Sequence, residues 1–204
     1  MVSVDEAVTA LRMATTWLVD ELESAGPADL DVPAGPVEWS CWATLDHVAD
    51  CQLGYALQLA SGAPDDYLRV DGGSGSEDFV HFVRELGVSG VRTALPAFAE
   101  LLCAQASVTS ADTRAFHSYG TSDAAGFAAM GAVEMLLHGH DVLGGLGRDC
   151  ELPAEPAQTV LARLFPDVAA HGSGPARTLL WATGRDDLPG RDRVRTWRWD
   201  GRVR

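Results

Sequence analysis

The chain has 204 residues, 47% hydrophobic and 22% charged, with a formal charge of −14, which suits one globular domain with a sizeable core and argues against nucleic acid, whose phosphates an acidic body repels. The last 20 residues carry 7 Arg against 4 Asp, leaving 25 acidic groups to 8 Arg in the rest, so this tail is expected to dock on the acidic body. Four scattered cysteines without a Cys-x-x-Cys pair exclude a zinc ribbon and read as free thiols.

The N-terminus "MVSVDEAVTALRM" lacks a basic segment followed by an apolar core, and no continuous apolar run has the length of a bilayer span, so the expected setting is cytoplasmic, with no membrane partner. Every basic residue is Arg; with abundant Ala and Gly this composition is of the high-GC, actinobacterial type.

Residues 4 to about 24 place Val4, Val8, Leu11, Thr15, Leu18 and Leu22 at helical spacing, with Ser3 as N-cap and Gly26-Pro27 as the stop. A proline-rich loop follows. Ser40 is a good cap for a second helix that runs to Gly62, and "GAPDDYLRVDGGSGSED" reads as loop. A third helical region is expected over 77–106, kinked or split by Gly87, Gly90 and Pro96. "ADTRAFHSYGTSD" predicts an extended crossing with a turn at Gly120, and a fourth helix spans about 122–143, closed by "GGLG". Shorter helices are expected at 156–165 and 174–183. The alternating "VRTWRWDGRVR", with Asp200-Gly201, carries a hairpin signal.

These elements predict an all-α fold: a four-helix bundle over residues 1–147, and a C-terminal extension over 148–204, with small helices and a small β element, packed on the bundle. The apolar helix surface is compatible with a homodimer.

The fourth helix contains "GAVEMLLHGHDVLGGLG", four polar groups in an apolar run, where burial is costly unless each finds a partner. At about 100° per residue, His138 lies about 40° and Asp141 about 20° from Glu134, whereas His140 lies about 120° away on another face. Glu134 and His138 have the i, i+4 spacing that lets two side chains reach one ion, and a neighbouring helix of a bundle can supply the third ligand. His47, set among Leu45, Val48 and Ala49, is that third candidate. Cys51, one turn on, could also ligate, against its reading as a small buried hydrophobe.

His81, His117 and His171 stand in separate segments and read as surface or hydrogen-bonding residues. No nucleophile-elbow glycines surround Ser118 or Ser122, so a hydrolase triad is unsupported. "GGSG" and "GGLG" do not sit between a strand and a helix and are not phosphate loops. The aromatic "WRW" reads as packing.

"WSCWATLDHVAD" (39–50) resembles the segment opening the second helix of the DinB-like metalloprotein superfamily. "VEMLLHGHDVLGGLG" (133–147) is similar to its later helix, especially in the branch of the mycothiol-dependent maleylpyruvate isomerase N-terminal domain. The resemblance covers roughly residues 4–147. It implies a bundle with a divalent metal at one end, held by His47, Glu134 and His138, with Asp141 orienting a ligand or bound water from behind. The isomerase's own reaction is not carried over, but open positions on such an ion suit a thiol of the mycothiol type, and the leading expectation is a metal-dependent enzyme that adds this thiol to a small electrophile, by transfer or isomerisation. Two nitrogens and a carboxylate suit zinc best, with nickel, iron and manganese as alternatives. The chain departs from the branch in having "AGPVEW" where a Cys-x-Gly often precedes the first Trp, and in its shorter C-terminal part. Two other readings stand beside this one: a non-catalytic or stress-responsive bundle that keeps a metal for structure, and a small-ligand binding protein with the Arg-rich tail as its lid.

Overall fold

The computed structural model describes residues 1–26, 28–69 and 79–203. Among these, regular structure is helical: α1 (Val4–Ala25), α2 (Cys41–Ser61), α3 (Gly87–Val108), α4 (Ala124–Gly145), α5 (Ala154–Leu164) and α6 (Gly174–Ala182). The all-α expectation holds. Pro27, the expected "GGSG" loop and residues 77–78 of the expected third helix lie outside the described residues.

Local chemistry sets the boundaries. Ser3 caps α1 in a reciprocal box: its hydroxyl accepts from Glu6 N while Glu6 accepts from Ser3 N. Ser40 caps α2 by accepting from Ala43 N, and Gly62 closes it in the left-handed conformation at φ 60°. Asp123 caps α4, accepting from Gly126 N at 2.8 Å.

Two expectations are corrected. The third helix begins at Gly87 after a single 3-10 turn over Arg84–Leu86, not at 77. Carboxylates of α2 take the backbone donors that a longer helix would need. Asp50 Oδ1 accepts from Phe79 N and Val80 N at 2.7 and 3.1 Å, and Asp46 Oδ1 accepts from Phe82 N at 2.8 Å. Pro96 lies inside α3 without splitting it. The second correction concerns the tail, which forms no hairpin at Asp200-Gly201. Its backbone donors are spent elsewhere, Asp200 N on Leu164 O at 2.8 Å and Gly201 N on Tyr119 O at 2.9 Å. Among the described residues the β pairing is confined to two isolated bridges, Pro33 with Ser40 and Ala115 with Ser122.

In the bundle α1 packs on α3 and α4, and α2 packs on the same two, so α1 and α2 hold opposite corners. α5 covers α1 and α4, and α6 packs on α5. This layering explains α4, which is buried along nearly its whole length, as its all-round apolar sequence requires. At Gly139 α4 packs tightly on α1: a Cβ there would meet Trp17 Cζ3 at 2.9 Å and Leu18 Cδ1 at 3.0 Å. The stretch Arg84–Val108 is long and apolar enough to cross a membrane by length and composition, which the reading of continuous apolar runs did not show. Here it packs against α1, α2 and α4 as a wall of the bundle.

The tail packs against α5 and the loop before α4. Arg163 of α5 helps to fix it, donating to the carbonyls of Gly201 and Arg202 and to Asp123. Trp199 is buried.

Candidate metal centre

The polar residues of α4 meet those of α2 across the bundle. On α2, His47, Cys51 and Tyr55 follow one another at four-residue intervals and so form one row. On α4, Glu134, His138 and Asp141 share the facing side. Together with Leu137, five of these six line a solvent-reaching pocket of about 330 Å³, Asp141 lying behind it. The other wall comes from His117, Ser118 and Tyr119, and from Arg185, Trp197 and Trp199 of the tail.

Glu134 is the hub. Tyr55 donates its hydroxyl to Oε1 at 2.9 Å, and His138 Nε2 lies 3.3 Å from Oε2. Burial pushes the Glu134 carboxyl up, but His138, His47 and the Tyr55 hydroxyl overcome this and bring it down to about 2. Burial likewise disfavours a charged His138, yet Asp141 and Glu134 on either side raise it to about 9. Tyr55 is pushed well above its ordinary value by burial and by the Glu134 charge.

Behind His138, Asp141 Oδ2 lies 3.4 Å from Nδ1, close enough to attract it but out of line for a hydrogen bond. Arg185 grips the Asp141 carboxylate with two bonds, Nε to Oδ1 at 2.9 Å and Nη2 to Oδ2 at 2.6 Å. These contacts hold Asp141 below the usual carboxylate range against the opposing effect of burial. Positive and negative groups thus alternate from Arg185 through Asp141 and His138 to Glu134.

The chemistry of these donors suits a divalent cation. Ligand atoms of His47, Cys51 and Glu134 all lie within 4.8 Å of one another. His138 lies outside that group, although its 3.3 Å separation from Glu134 is close to the about 3.4 Å expected for nitrogen and oxygen donors sharing a tetrahedral ion. Trp39 flanks the site, its ring 5.0 Å from that of His47 and 6.3 Å from that of His138. The His47 and His138 rings meet edge to face at 5.3 Å.

His47, Glu134 and His138 therefore border one pocket, and Asp141 stands behind His138. His140 is not among the lining residues. His81 and His171 have the hydrogen-bonding roles expected of them, near Asp46 and Pro189 O. His117 takes the hydrogen-bonding rather than the surface role. It is buried, and its Nδ1 accepts from Tyr119 N at 3.0 Å, leaving Nε2 to carry the proton. Burial lowers its pKa below the ordinary value, so it lines the pocket as a neutral imidazole. Nothing in the spacing of a loop histidine signals this position.

The fold and the site together define an all-α bundle whose helices α2 and α4 face each other with potential metal ligands. No known family profile matches the sequence, and no curated protein matches it. A solved structure, the crystal structure of the mycothiol-dependent maleylpyruvate isomerase, superposes with a TM-score of 0.57 at 16% sequence identity, covering 90% of each chain. At that identity the likeness is one of fold.

Proposed function

We propose that this protein is a metal-dependent enzyme of small-thiol chemistry, a transferase or isomerase acting on a small electrophile with a thiol of the mycothiol type. The observation that carries the reading is the convergence of His47 with Glu134 and His138 on a pocket that solvent reaches. A site sealed from ligands would instead support a structural metal. The superposition on a mycothiol-dependent isomerase over nearly the whole chain adds to this reading.

His47, Glu134 and His138 would hold the ion, with zinc the best match to two imidazoles and a carboxylate. Such an ion, when bound, supplies a positive charge that favours the thiolate form of a thiol. Asp141, itself fixed by Arg185, orients the His138 ring through Nδ1. Tyr55 holds one oxygen of Glu134 and so limits rotation of that carboxylate. Trp197 and Trp199 restrict water on the tail side, and neutral His117 offers a donor to a polar substrate group. At about 330 Å³ the pocket suits a small electrophile, while a neighbouring pocket of about 500 Å³ shares Ser118, Tyr119 and Trp199 and gives a larger thiol room to extend.

The test is metal analysis of untagged protein followed by thiol titration. Tight metal in the wild type, thiol-dependent loss of a small electrophile, and weakened loading in His138→Ala are expected. Full, tight loading in His138→Ala would refute the trio. The tail residues over the pocket favour a second reading, a binding protein for a small acidic or aromatic ligand. In that case ligand binding would survive complete removal of metal.

A further inference from the structure

A cysteine facing the pocket also stands outside the proposed trio. Cys51 stands one turn after His47 on α2 and is half-buried. Its Sγ lies 3.4 Å from His47 Nε2, and the two share a group of potential ligand atoms with Glu134. The other cysteines are engaged elsewhere. Cys41 and Cys103 are buried against the carbonyls of Val142 and Val8, and Cys150 faces Glu21. None of those three lines the pocket, whereas Cys51 does.

We infer that Cys51 is itself a metal ligand, donating a thiolate alongside His47 and Glu134; the inference rests on the metal-site reading above. The geometry carries it. Bonds of about 2.05 Å to nitrogen and about 2.3 Å to sulfur, at a tetrahedral angle, put the two donors about 3.6 Å apart. The observed 3.4 Å needs only a slightly narrower angle. The i, i+4 spacing of His47 and Cys51 on α2 repeats that of Glu134 and His138 on α4, so each helix contributes a pair from adjacent turns, and a co-substrate thiol would then reach the ion by five-coordination or by displacing Cys51. A sulfur donor also changes the selectivity. Thiolate favours zinc and disfavours manganese, which prefers oxygen ligands.

The experiment uses full-length protein freed of metal by a chelator and titrated with Co(II), whose visible bands report binding and whose near-ultraviolet thiolate charge-transfer band reports a sulfur ligand. The wild type is expected to show both and to saturate at one ion per chain. Cys51→Ser should lose the charge-transfer band, keep the visible bands and bind at least about tenfold more weakly, whereas Cys150→Ser should keep both. Visible bands without charge transfer in the wild type, or charge transfer that persists in Cys51→Ser, would overturn the inference and leave the metal site standing. Absence of any cobalt binding would overturn the metal reading and this inference together. Alkylation gives an independent readout: iodoacetamide labelling of Cys51, mapped by mass spectrometry, should slow at least about tenfold when zinc is added. Equal rates with and without zinc would contradict a sulfur ligand.

Discussion

Arg185→Ala removes the guanidinium that grips Asp141 and leaves a fully buried carboxylate. The side chains of Asp141 and Arg185 are 0% and 7% exposed, so solvent screens this pair little. Deleting one partner of a buried ion pair costs about 3–5 kcal/mol. His138, 3.4 Å away and raised toward its charged form, offsets part of that loss, which places the expected cost near the lower end, about 3 kcal/mol. For a chain of this size the urea slope is about 3 kcal/mol per M, so the midpoint should fall by about 1 M. The sign of the pH effect follows from Asp141, whose folded pKa is depressed. Its contribution is present above its ordinary value of 3.8 and is lost as pH falls through the lower folded value. In Arg185→Ala that loss should begin at higher pH. The double variant Arg185→Met/Asp141→Leu should recover most of the stability, because it leaves no unpaired charge in the core. Urea denaturation of metal-free protein at several pH values measures all three. A loss below about 1 kcal/mol in Arg185→Ala, or a double variant as unstable as the single, would refute the reasoning.

In metal-free protein the raised pKa of His138 should add stability that is full below its ordinary 6.5 and lost as pH rises through about 9. The melting temperatures of wild type and His138→Gln, compared across that interval, should converge at its alkaline end; a constant difference would contradict the assignment. Because a bound metal must displace the same proton, zinc affinity should fall as pH drops below about 9, approaching tenfold per unit, as chelator competition would show. Tyr55→Phe should cost about 1.5–3 kcal/mol by removing the hydroxyl bonded to the buried Glu134 carboxylate, readable in the same urea assay. Gly139→Ala should force α1 away from α4 at Trp17 and Leu18, costing about 1–3 kcal/mol in thermal unfolding.

Helical periodicity made most of the fold legible, because the apolar face of each bundle helix is set by its neighbours and repeats along the sequence. The start of α3 was not legible. It depends on Asp46 and Asp50 of α2 capturing backbone donors of residues 79–82, a contact between distant segments. The expected hairpin failed for a similar reason, since Asp200 and Gly201 donate to Leu164 and Tyr119 rather than to a partner strand. At the site, helical phase was enough to group Glu134, His138 and Asp141 and to exclude His140. The same phase rule places Cys51 and Tyr55 in line with His47; Cys51 is weighed as a ligand from the sequence, whereas nothing in the sequence marks Tyr55 as the partner of Glu134. His117, Arg185, Trp197 and Trp199 come from irregular segments, where no periodicity points to the pocket.

The central claim, a divalent metal held between α2 and α4, is tested most directly by mass-spectrometric metal counting after equilibrium dialysis of untagged protein. One ion per chain is expected for the wild type, with loading largely lost in both His47→Ala and Glu134→Ala. A wild type that retains no metal, or variants that load as fully and tightly as the wild type, would contradict it.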